Sequence, residues 1–336
     1  MRLIRLKHLF LTKKEVGIKI TIKKIVSDQE CYETIRELRW AEGIHCVTCG
    51  SEKVNSHGGT LKKRYLCKSC GKSFDDLTGT IFSGSKEPLK TWVLCLYFMG
   101  LNLSNRQIGE ELDVSENTAL SMTEQLRQGI VKKKPDVQLE GEVEFDEVYI
   151  IAGHKGNSEK VREKGRPPRR RRLKGKRGRG TLETEKAPIL GMIQRSGEVV
   201  MRMLSNVQKK TIKPIIKKFV SKGSTVYTDE YNIYNSLEKW GYTHLTVNHS
   251  KGEYARDEDG DGFHEIHVNT MEGAWSLLRS WLKPHRGISQ EKLPLYVGFF
   301  EFIHNARKRG KTLLHKLLNT IVQEDKRKIE DIYPAT

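Results

Sequence analysis

The chain has 336 residues, and its 60 Lys and Arg against 42 Asp and Glu give a formal net charge of +18. A length of this order suggests about two domains with smaller modules beside them. The sequence has no apolar run near the ~18 residues of a membrane span, and its basic N-terminal stretch lacks the apolar block of a signal peptide. We therefore predict a cytoplasmic protein with no membrane partner. Its positive charge either only keeps it soluble or attracts a polyanion, most often nucleic acid.

Two close pairs of cysteines follow a basic lead-in with a short helix over residues 1–40. The four residues are Cys46, Cys49, Cys67 and Cys70. Two C-x2-C pairs on tight turns can close a tetrahedral Zn²⁺ site with four thiolates, which leaves no open position for catalysis. We predict a structural zinc ribbon over residues 41–80, with an iron–sulfur or redox site as the alternative. Lys63 and Arg64, between the pairs, are suited to contact a DNA backbone.

Residues 85–135 carry apolar side chains at the three- and four-residue steps typical of helices. Ser104 begins a second short helix there, and Ser115 can cap a third one that runs to about Gln128. The last two helices have the spacing of a helix-turn-helix, in which Arg106 would contact DNA. A helical packing module without DNA contact shows the same periodicity and remains the alternative.

Residues 140–310 change to strand-like runs separated by helices, which predicts an α/β domain with a mixed sheet. The predicted strands are Val143–Ile151, Ile189–Gln194, Val199–Leu204, Thr225–Thr228 and Leu245–Asn248. Helices are expected at about 211–221, at about 231–240 and from near Asn269 onward. The last residues, 311–336, are predicted to form a helical tail.

A basic insertion, residues 155–180, stands apart from the rest of this domain. Residues 155–179 contain thirteen Lys and Arg against two Glu. The most basic run is Arg169, Arg170, Arg171 and Arg172. Such a stretch cannot bury enough apolar surface to fold alone, so we predict a disordered loop between two strands. Its arginines either contact phosphate or form a solvated insertion.

Three acidic residues fall where a metal site of a nuclease would need them. Such phosphoryl transfer uses two divalent cations about 4 Å apart, held by carboxylates from separate elements at one edge of a sheet. Asp146 lies in the first strand of this domain, Asp229 follows the fourth strand, and Glu272 lies in the late helix. Arg279 follows Glu272 by two helical turns and Asn269 precedes it by about one turn, so all three share a face. Three nearby acids are expected at the surface or around the site: Glu144, Glu147 and Glu230.

The order of these motifs over roughly residues 40–308 resembles the ISXO-type insertion-sequence transposases. The matching runs are Tyr65-x-Cys67-Lys68-x-Cys70-Gly71-Lys72-x-Phe74, Leu77-Thr78-Gly79-Thr80-Ile81-Phe82, Asp146-Glu147-x-Tyr149, Val226-Tyr227-Thr228-Asp229-Glu230-Tyr231, Val247-Asn248-His249-Ser250-x-Gly252-Glu253-Tyr254 and Asn269-Thr270-x-Glu272-Gly273-x-Trp275-Ser276-Leu277-Leu278. The resemblance implies an N-terminal zinc ribbon and a DDE catalytic domain of RNase H-like fold.

The resemblance also implies a DNA transposase, which cuts the ends of its own element and joins the 3′-OH ends to target DNA. Asp146, Asp229 and Glu272 would be the catalytic ligands of two Mg²⁺ or Mn²⁺ per active site, beside one structural Zn²⁺. Asn269 is an alternative third ligand, and Arg279 matches the trailing basic position. Because two element ends must be brought together, a homo-oligomer bound to DNA of the nucleoid is expected.

Two other functions are compatible with the sequence. The chain could be a non-catalytic DNA-binding regulator built from a zinc ribbon and a helix-turn-helix. It could also be an RNase H-like nuclease that cuts DNA of a particular structure without joining it. Metal-dependent cutting separates the first from a transposase, and joining of 3′ ends to a target separates the second.

Overall fold

The computed structural model describes residues 26–165, 178–247, 255–257, 266–308 and 313–323. Over these ranges the chain forms a zinc-ribbon module, a group of helices and a mixed sheet, in the order predicted from the sequence. No helix within them is both long and apolar enough to cross a membrane. The predictions for the N-terminal lead-in before residue 26, for the run Arg169–Arg172 and for the end of the C-terminal tail lie outside the described residues.

The N-terminal module combines one helix with a small antiparallel sheet. Its elements are α1 (Asp28–Arg39), β1 (Val54–Ser56), β2 (Arg64–Cys67) and β3 (Ser73–Asp75). The Ser27 hydroxyl caps α1 by accepting from the backbone of Glu30. The core is small and aromatic: Tyr65 packs against Trp40 and Phe74, with ring centroids 6.4 Å and 5.3 Å away. A core of this size cannot hold a module alone, which agrees with a metal at its centre.

Three helices follow the ribbon. They are α2 (Leu89–Gly100), α3 (Asn105–Leu112) and α4 (Glu116–Lys133). Ser104 caps α3 in a reciprocal capping box, Ser115 caps α4, and Asp113 between them adopts left-handed backbone angles (φ 53°) that allow the tight turn. This is the helix-turn-helix arrangement predicted above. Helix α4 is longer than predicted and ends at Lys133 rather than near Gln128, because its last turns are still buried.

The C-terminal half is built on a five-stranded mixed sheet. The strands are β4 (Glu142–Ile151), β5 (Lys186–Gln194), β6 (Val199–Met203), β7 (Thr225–Asp229) and β8 (Thr243–Val247). Their spatial order is β6-β5-β4-β7-β8. Strands β4, β5 and β6 are antiparallel neighbours, whereas β7 and β8 run parallel to β4. Three consecutive antiparallel strands followed by two parallel ones form the RNase H-like sheet that the resemblance implies.

The connections between these strands differ in part from the prediction. Helix α6 (Lys209–Phe219) joins β6 to β7 as expected. The helix expected at about 231–240 is wrong, because this stretch contains two single-turn 3₁₀ segments, Asn232–Tyr234 and Glu238–Trp240. Short 3₁₀ turns bury apolar residues at the same spacing as a helix, so periodicity alone did not distinguish them. A short two-stranded ribbon, unpredicted, precedes the late helix; its strands are β9 (Ala255–Arg256) and β10 (Ile266–His267).

Helices from the C-terminal part cover one face of the sheet and complete the helical group. They are α7 (Asn269–Leu282), α8 (Leu293–Lys308) and α9 (Leu313–Val322). Helix α8 packs on β6 and α4, and α9 packs on α1, α2 and α4. The contact with α2 is close, since a Cβ on Gly100 would lie 3.0 Å from Leu313. The helices of residues 85–135 therefore share a hydrophobic core with this face of the sheet. The domain boundaries that we predict from the sequence therefore remain a proposal.

The two ends of the basic insertion are ordered, which corrects the prediction of a disordered loop over its whole length. Ser158–Glu163 forms the short helix α5, and Lys160 pairs with Glu291 at 2.6 Å. At the other end, the Arg179 guanidinium stacks 3.3 Å from the ring centroid of Tyr231. The insertion has too few apolar residues to form a core of its own. Contacts with distant segments therefore hold its two ends in place.

Candidate active site and metal centre

The sulfur atoms of the four predicted zinc ligands all lie within 4.8 Å of one another. These ligands are Cys46, Cys49, Cys67 and Cys70. Each pair is closed by a tight turn, in which the N–H of Gly50 donates to the carbonyl of Cys46 at 2.8 Å and that of Gly71 to the carbonyl of Cys67 at 3.0 Å. Both glycines have φ near +70°, a conformation that side chains disfavour.

Backbone N–H groups prepare this cysteine cluster for a cation. The Thr48 N–H lies 3.4 Å from the Cys46 sulfur and lowers the pKa of that thiol to about 6. The Cys70 N–H lowers the pKa of the Cys67 thiol in the same way. Four clustered sulfurs, two of them readily ionised, are the donor set that a structural Zn²⁺ takes. The cysteine cluster therefore fits the predicted zinc site.

The first two predicted carboxylates lie on neighbouring parallel strands. Glu144 of β4 is opposite Tyr227 of β7, and continuing this register by two residues brings Asp146 opposite Asp229. Opposite residues on adjacent strands point to the same face of a sheet, with the strands ~4.8 Å apart. Asp229 is the last residue of β7, and its carboxylate accepts from the Tyr231 N–H at 3.0 Å. The two aspartates are therefore neighbours at one edge of the sheet.

Helix α7 crosses this same face and carries the third carboxylate. The indole N–H of Trp275 donates to Asp146 Oδ2 at 2.8 Å. The Trp275 ring lies directly over Gly191 of β5, where a Cβ would be only 2.4 Å from the indole. Glu272 is exposed on the turn of α7 before Trp275. The indole contact therefore sets the position of the helix, and with it Glu272, relative to Asp146.

The pKa of Asp146 reports the density of negative charge at this edge. It is raised to about 6, first because the side chain is buried and further because Asp229 and Glu272 are close enough to repel it. The hydrogen bonds from Trp275 and from the Glu147 N–H, at 2.7 Å, oppose this shift. Carboxylates held together against their repulsion are the kind of site that a hard divalent cation stabilises.

The carboxylates are spread more widely than the cysteines. Within the ranges that the structure describes, the cysteine cluster is the one group of three or more ligand side chains whose ligand atoms all lie within 4.8 Å of one another. Glu272 lies on an exposed helix face, close enough to Asp146 to raise the pKa of that carboxyl. The role of Asp146, Asp229 and Glu272 as metal ligands stays a prediction, which their common face and mutual repulsion support.

Of the two positions expected for Glu144, at the surface or around the site, the structure shows the second, and its side chain is fully buried. It accepts from Arg195 Nε at 3.0 Å, and Arg195 in turn lies over the ring of Tyr227 at 3.8 Å from the centroid. Strand β4 is the central strand and has both faces covered, so a carboxylate near its middle is largely buried whichever way it points. The place of Glu144 within the central strand was the feature of the sequence that could have indicated its burial. Nothing in the sequence around Arg195 indicated its role.

Glu147 is also largely buried, on the opposite face of β4 from Asp146. The hydroxyl of Tyr234 donates to its carboxylate. The pKa of Glu147 is raised to about 8, first by burial and then by the charges of Asp146 and Asp229, against the lowering effect of the Tyr234 hydrogen bond. Glu230, in contrast, is exposed as expected. With a pKa of about 8, Glu147 is mostly protonated near neutral pH, so it lies behind the site as a largely neutral hydrogen-bonding group and does not share the face of Asp146.

The two other residues predicted on α7 lie where the helical spacing put them. Arg279 is exposed two turns after Glu272, and Asn269 is exposed at the first residue of the helix. The backbone N–H of Asn269 lies 3.4 Å from His267 Nδ1. Their contacts with DNA or metal stay predictions.

The cations predicted to contact DNA outside α7 are on the ribbon and the helical group. Arg64 is exposed, and Lys63 is partly buried and donates its backbone N–H to Asp76 at 2.7 Å. Arg106 is exposed and pairs with Glu110 one turn later at 2.9 Å. Arg64 and Arg106 are thus accessible to a ligand, and DNA contact by all three stays a prediction.

Comparison with known proteins agrees with this arrangement. Residues 138–305 match the ISXO2-like transposase domain, and residues 26–73 match the transposase zinc-ribbon domain. An uncharacterized protein in transposable element ISH50 of Halobacterium salinarum is 36% identical over 304 residues, which cover 89% of this chain and 98% of that protein. An uncharacterized transposase-like protein of Haemophilus influenzae is 29% identical over 103 residues, 31% of this chain and 77% of that protein. A solved simian T-cell lymphotropic virus intasome, in complex with PP2A regulatory subunit B56 gamma, aligns with 63% of this chain and 67% of that chain at 9% sequence identity. The TM-score of this alignment is 0.27, which is too low a structural similarity to support a conclusion.

Proposed function

The chain belongs to the ISXO2-like transposases of insertion sequences, and we propose that it cuts the ends of its own element and joins the freed 3′ ends to target DNA. The observation that carries this proposal is the register that makes Asp146 and Asp229 neighbours beneath the helix that bears Glu272. Three carboxylates from three elements on one sheet face are what two-metal phosphoryl transfer requires.

The chain's own residues have distinct roles in this chemistry. Asp146, Asp229 and Glu272 would hold two Mg²⁺ or Mn²⁺, which when bound make water a better nucleophile and stabilise the leaving oxygen. Trp275 orients the Asp146 carboxylate through its indole N–H. Arg279, on the same exposed face of α7 as Glu272, would contact a phosphate beside the scissile bond.

The remaining modules would bind the element ends. The zinc ribbon offers Lys63 and Arg64, and the helix-turn-helix offers Arg106 and the exposed first turn of α4. Bringing two ends together needs at least two copies of the active site, so we propose a homo-oligomer on DNA. Its site of action would be the nucleoid in the cytoplasm.

The experiment that tests the function uses a labelled duplex that carries the terminal repeat of the element, with a supercoiled plasmid as target. We expect Mg²⁺-dependent nicking at the element end and joining of that end to the plasmid. Binding without nicking would instead indicate a regulator, and nicking without joining would indicate a nuclease.

The assignment of the site is tested by Asp146→Asn in the same assay. Cleavage and joining should fall by at least about a thousandfold, because a ligand of the cations is lost, while affinity for the element end is retained. Glu140→Gln, at an exposed acid just before β4, is the control and should cut normally. Cleavage retained by Asp146→Asn would overturn the assignment.

A further inference from the structure

We propose that Glu144 is a positioning residue, which fixes the start of α7, and therefore Glu272, relative to Asp146. The inference rests on the proposed function of that site and extends it to a residue outside the three carboxylates. It assigns a task to the most deeply buried acid at the active edge, whose side chain is 0% exposed.

The contacts of Glu144 join four parts of the chain. Its carboxylate accepts from Thr270 Oγ1 at 2.8 Å and from the Met271 backbone N–H at 2.9 Å, both in the first turn of α7. It also accepts from Arg195 Nε, just after β5, at 3.0 Å, and lies 3.2 Å from His267 Nδ1 of β10. One side chain of the central strand thus holds the helix, the end of the adjacent strand and the short ribbon before the helix.

The first turn of α7 needs such a partner. Its N-cap residue is Val268, which has no side chain able to accept from the free N–H groups of the turn. Glu144 supplies the missing acceptor from another element, and its charge is favourable at the positive end of the helix. Arg195 compensates that charge and is itself held by the His267 carbonyl at 3.0 Å. A buried carboxylate is tolerated here because every oxygen is paired.

This arrangement couples the two halves of the candidate site. Glu144 and Asp146 are two residues apart on the same face of β4, a separation of ~6.6 Å along the strand. Met271, which donates to Glu144, immediately precedes Glu272. At the next turn, Trp275 donates to Asp146. The helix is therefore fixed to β4 on both sides of Glu272, and loss of the Glu144 contact would leave it fixed on one side only.

The test compares Glu144→Gln with Glu140→Gln, at an exposed acid just before β4, in the full-length, zinc-loaded chain bound to an element-end duplex. Gln keeps the shape of Glu144 but brings an NH₂ group toward donors, so at least one of them loses its acceptor. Affinity for Mn²⁺ is measured from the electron paramagnetic resonance signal of free Mn²⁺, and the Mg²⁺ concentration for half-maximal cleavage is measured in parallel.

We expect Glu144→Gln to weaken Mn²⁺ binding about tenfold and to raise the half-maximal Mg²⁺ concentration by a similar factor, as for other residues that orient metal ligands. Cleavage at saturating metal should recover most of the parent rate. A merely structural role would lower the unfolding temperature and leave Mn²⁺ affinity unchanged below it, and this result would overturn the proposal.

A milder pair of variants covers the case in which Glu144→Gln does not fold. Thr270→Val removes one donor and should shift both metal readouts in the same direction by a smaller factor, whereas Thr270→Ser should restore the parent values. Equal metal affinity in Thr270→Val and the parent would count against the proposal. If the parent chain neither binds Mn²⁺ nor cuts DNA, the proposed function itself is overturned. This outcome is distinct from the one in which the parent cuts DNA and the Glu144→Gln variant cuts it equally well.

A different observation, the charge of α6, carries a second inference. This helix has exposed lysines and no acidic residue. The lysines are Lys209, Lys210, Lys213, Lys217 and Lys218. Among the described residues, no carboxylate lies within 4.0 Å of any of their ammonium groups. The opposite face of the helix is apolar and packs on the sheet through Ile212, Ile216 and Phe219.

The position of α6 brings this charge close to the candidate active edge. The helix covers the sheet face opposite α7, and Lys209 Nζ donates to Ser236 Oγ at 3.2 Å. Ser236 lies in the segment that follows Asp229 and includes Tyr234, the partner of Glu147. The lysines then extend along α6 for about 12 Å, at 1.5 Å per residue, away from that edge.

We infer that α6 binds the phosphate backbone of duplex DNA that extends from the active edge. Lys210, Lys213 and Lys217 are spaced by three and four residues and therefore share one face. Exposed ammonium groups on a helix complement a polyanion, and their contribution does not depend on base sequence. Lys213 Nζ also lies 5.6 Å from the ring centroid of Trp240, a contact that leaves its charge exposed. DNA as the partner rests on the proposed function, but the surface does not depend on the cutting chemistry.

The salt dependence of DNA binding tests this surface. The slope of log affinity against log salt concentration should fall by up to about 2.7 in the triple variant K210Q/K213Q/K217Q, at ~0.9 per phosphate contact. The control K90Q/K160Q/K292Q removes the same charge from lysines that are already paired with Asp28, Glu291 and Glu124. An unchanged slope, or an equal fall in the control, would overturn the inference. Absence of DNA binding by the parent would instead refute the proposed function.

Discussion

The cysteine cluster and the three carboxylates predicted to bind metal, Asp146, Asp229 and Glu272 (the carboxylate site), are built on different scales. The cysteines come from two short turns only seventeen residues apart, and a separate small core surrounds them. The carboxylates come from two strands and a helix that are far apart in sequence, and the large core beneath α7 holds them together. Local turn geometry makes the first site, and tertiary packing makes the second.

This difference predicts how each site fails. Damage to the cysteine cluster should stay within the ribbon, because its core is separate from that of the sheet. The geometry of the carboxylate site should change when residues far from its ligands are substituted, provided that the substitution alters the packing of α7 on the sheet. The following predictions, from the largest expected effect to the smallest, test that contrast.

The largest effect is expected from Cys67→Ser. Loss of one thiolate should abolish zinc binding and unfold the ribbon, because a structural Zn²⁺ contributes on the order of 10 kcal/mol to such a module. Zinc content measured by mass spectrometry should fall from one ion per chain to near zero. Thermal unfolding of the sheet should be unchanged, and a parallel loss of the sheet would show that the two regions are not independent.

The control for that experiment is Cys95→Ala. Cys95 is a buried thiol of α2 outside the cysteine cluster. Its replacement should reduce the stability of the helical core and leave zinc content at one ion per chain. Loss of zinc in this variant would mean that the metal is not held by the four ribbon cysteines alone.

A smaller effect, on the carboxylate site, is expected from Gly191→Ala. The added Cβ would lie 2.4 Å from the Trp275 ring and 2.6 Å from Met271, so α7 must move off the sheet. We expect a loss of about 2–3 kcal/mol in the free energy of unfolding, typical of an overpacked core, together with reduced cleavage. Gly273→Ala is the matched control, because nothing lies within 4 Å of its added Cβ. It should be neutral or slightly stabilising in urea denaturation.

The smallest effect concerns the far end of α7 and depends on pH. His285 packs against Trp281, with ring centroids 5.1 Å apart, and shares a hydrogen bond with Asn102. The pKa of His285 is lowered to about 4, first by burial and then by the charges of Arg127 and Lys155. Between about pH 6.5 and 4 the unfolded chain takes up a proton here that the folded chain does not. This contribution to stability is therefore complete above pH 6.5 and is lost as the pH falls.

The measurement is urea denaturation of the parent and of His285→Gln at pH 7.5 and pH 5. We expect the parent to lose about 1–2 kcal/mol more than the variant between these values, since one pH unit corresponds to about 1.4 kcal/mol for one proton. Equal losses in the two proteins would show that the His285 ring takes up its proton without disturbing α7.

Much of the fold could be predicted from the sequence, because the elements have clear periodicity and the sheet order follows from the family resemblance. The strand around Asp146 and the helix that begins at Asn269 were predicted close to their observed bounds. The cysteine cluster was predicted completely, since its ligands lie at a diagnostic spacing and its geometry is local. The grouping of Asp146 with Asp229 and Glu272 required the resemblance, because no local pattern joins residues so far apart.

The supporting contacts of the carboxylate site could not be predicted. The sequence left Glu144 open between the surface and the surroundings of the site, because its burial depends on Arg195, Thr270 and His267, which come from other segments. The stretch at 231–240 carried helical spacing but forms 3₁₀ turns. In each case the deciding contact is made across the fold, where a single sequence carries little information.

The packing of α9 on α1 has a consequence for biosynthesis. One of the last described elements closes a core that begins with one of the first, and it also contacts α2 and α4. During translation the earlier helices therefore remain without this partner until α9 itself has left the ribosome, and this core cannot be completed module by module. A message truncated before α9 would yield a chain with an open hydrophobic groove, an ordinary target for chaperones and proteases.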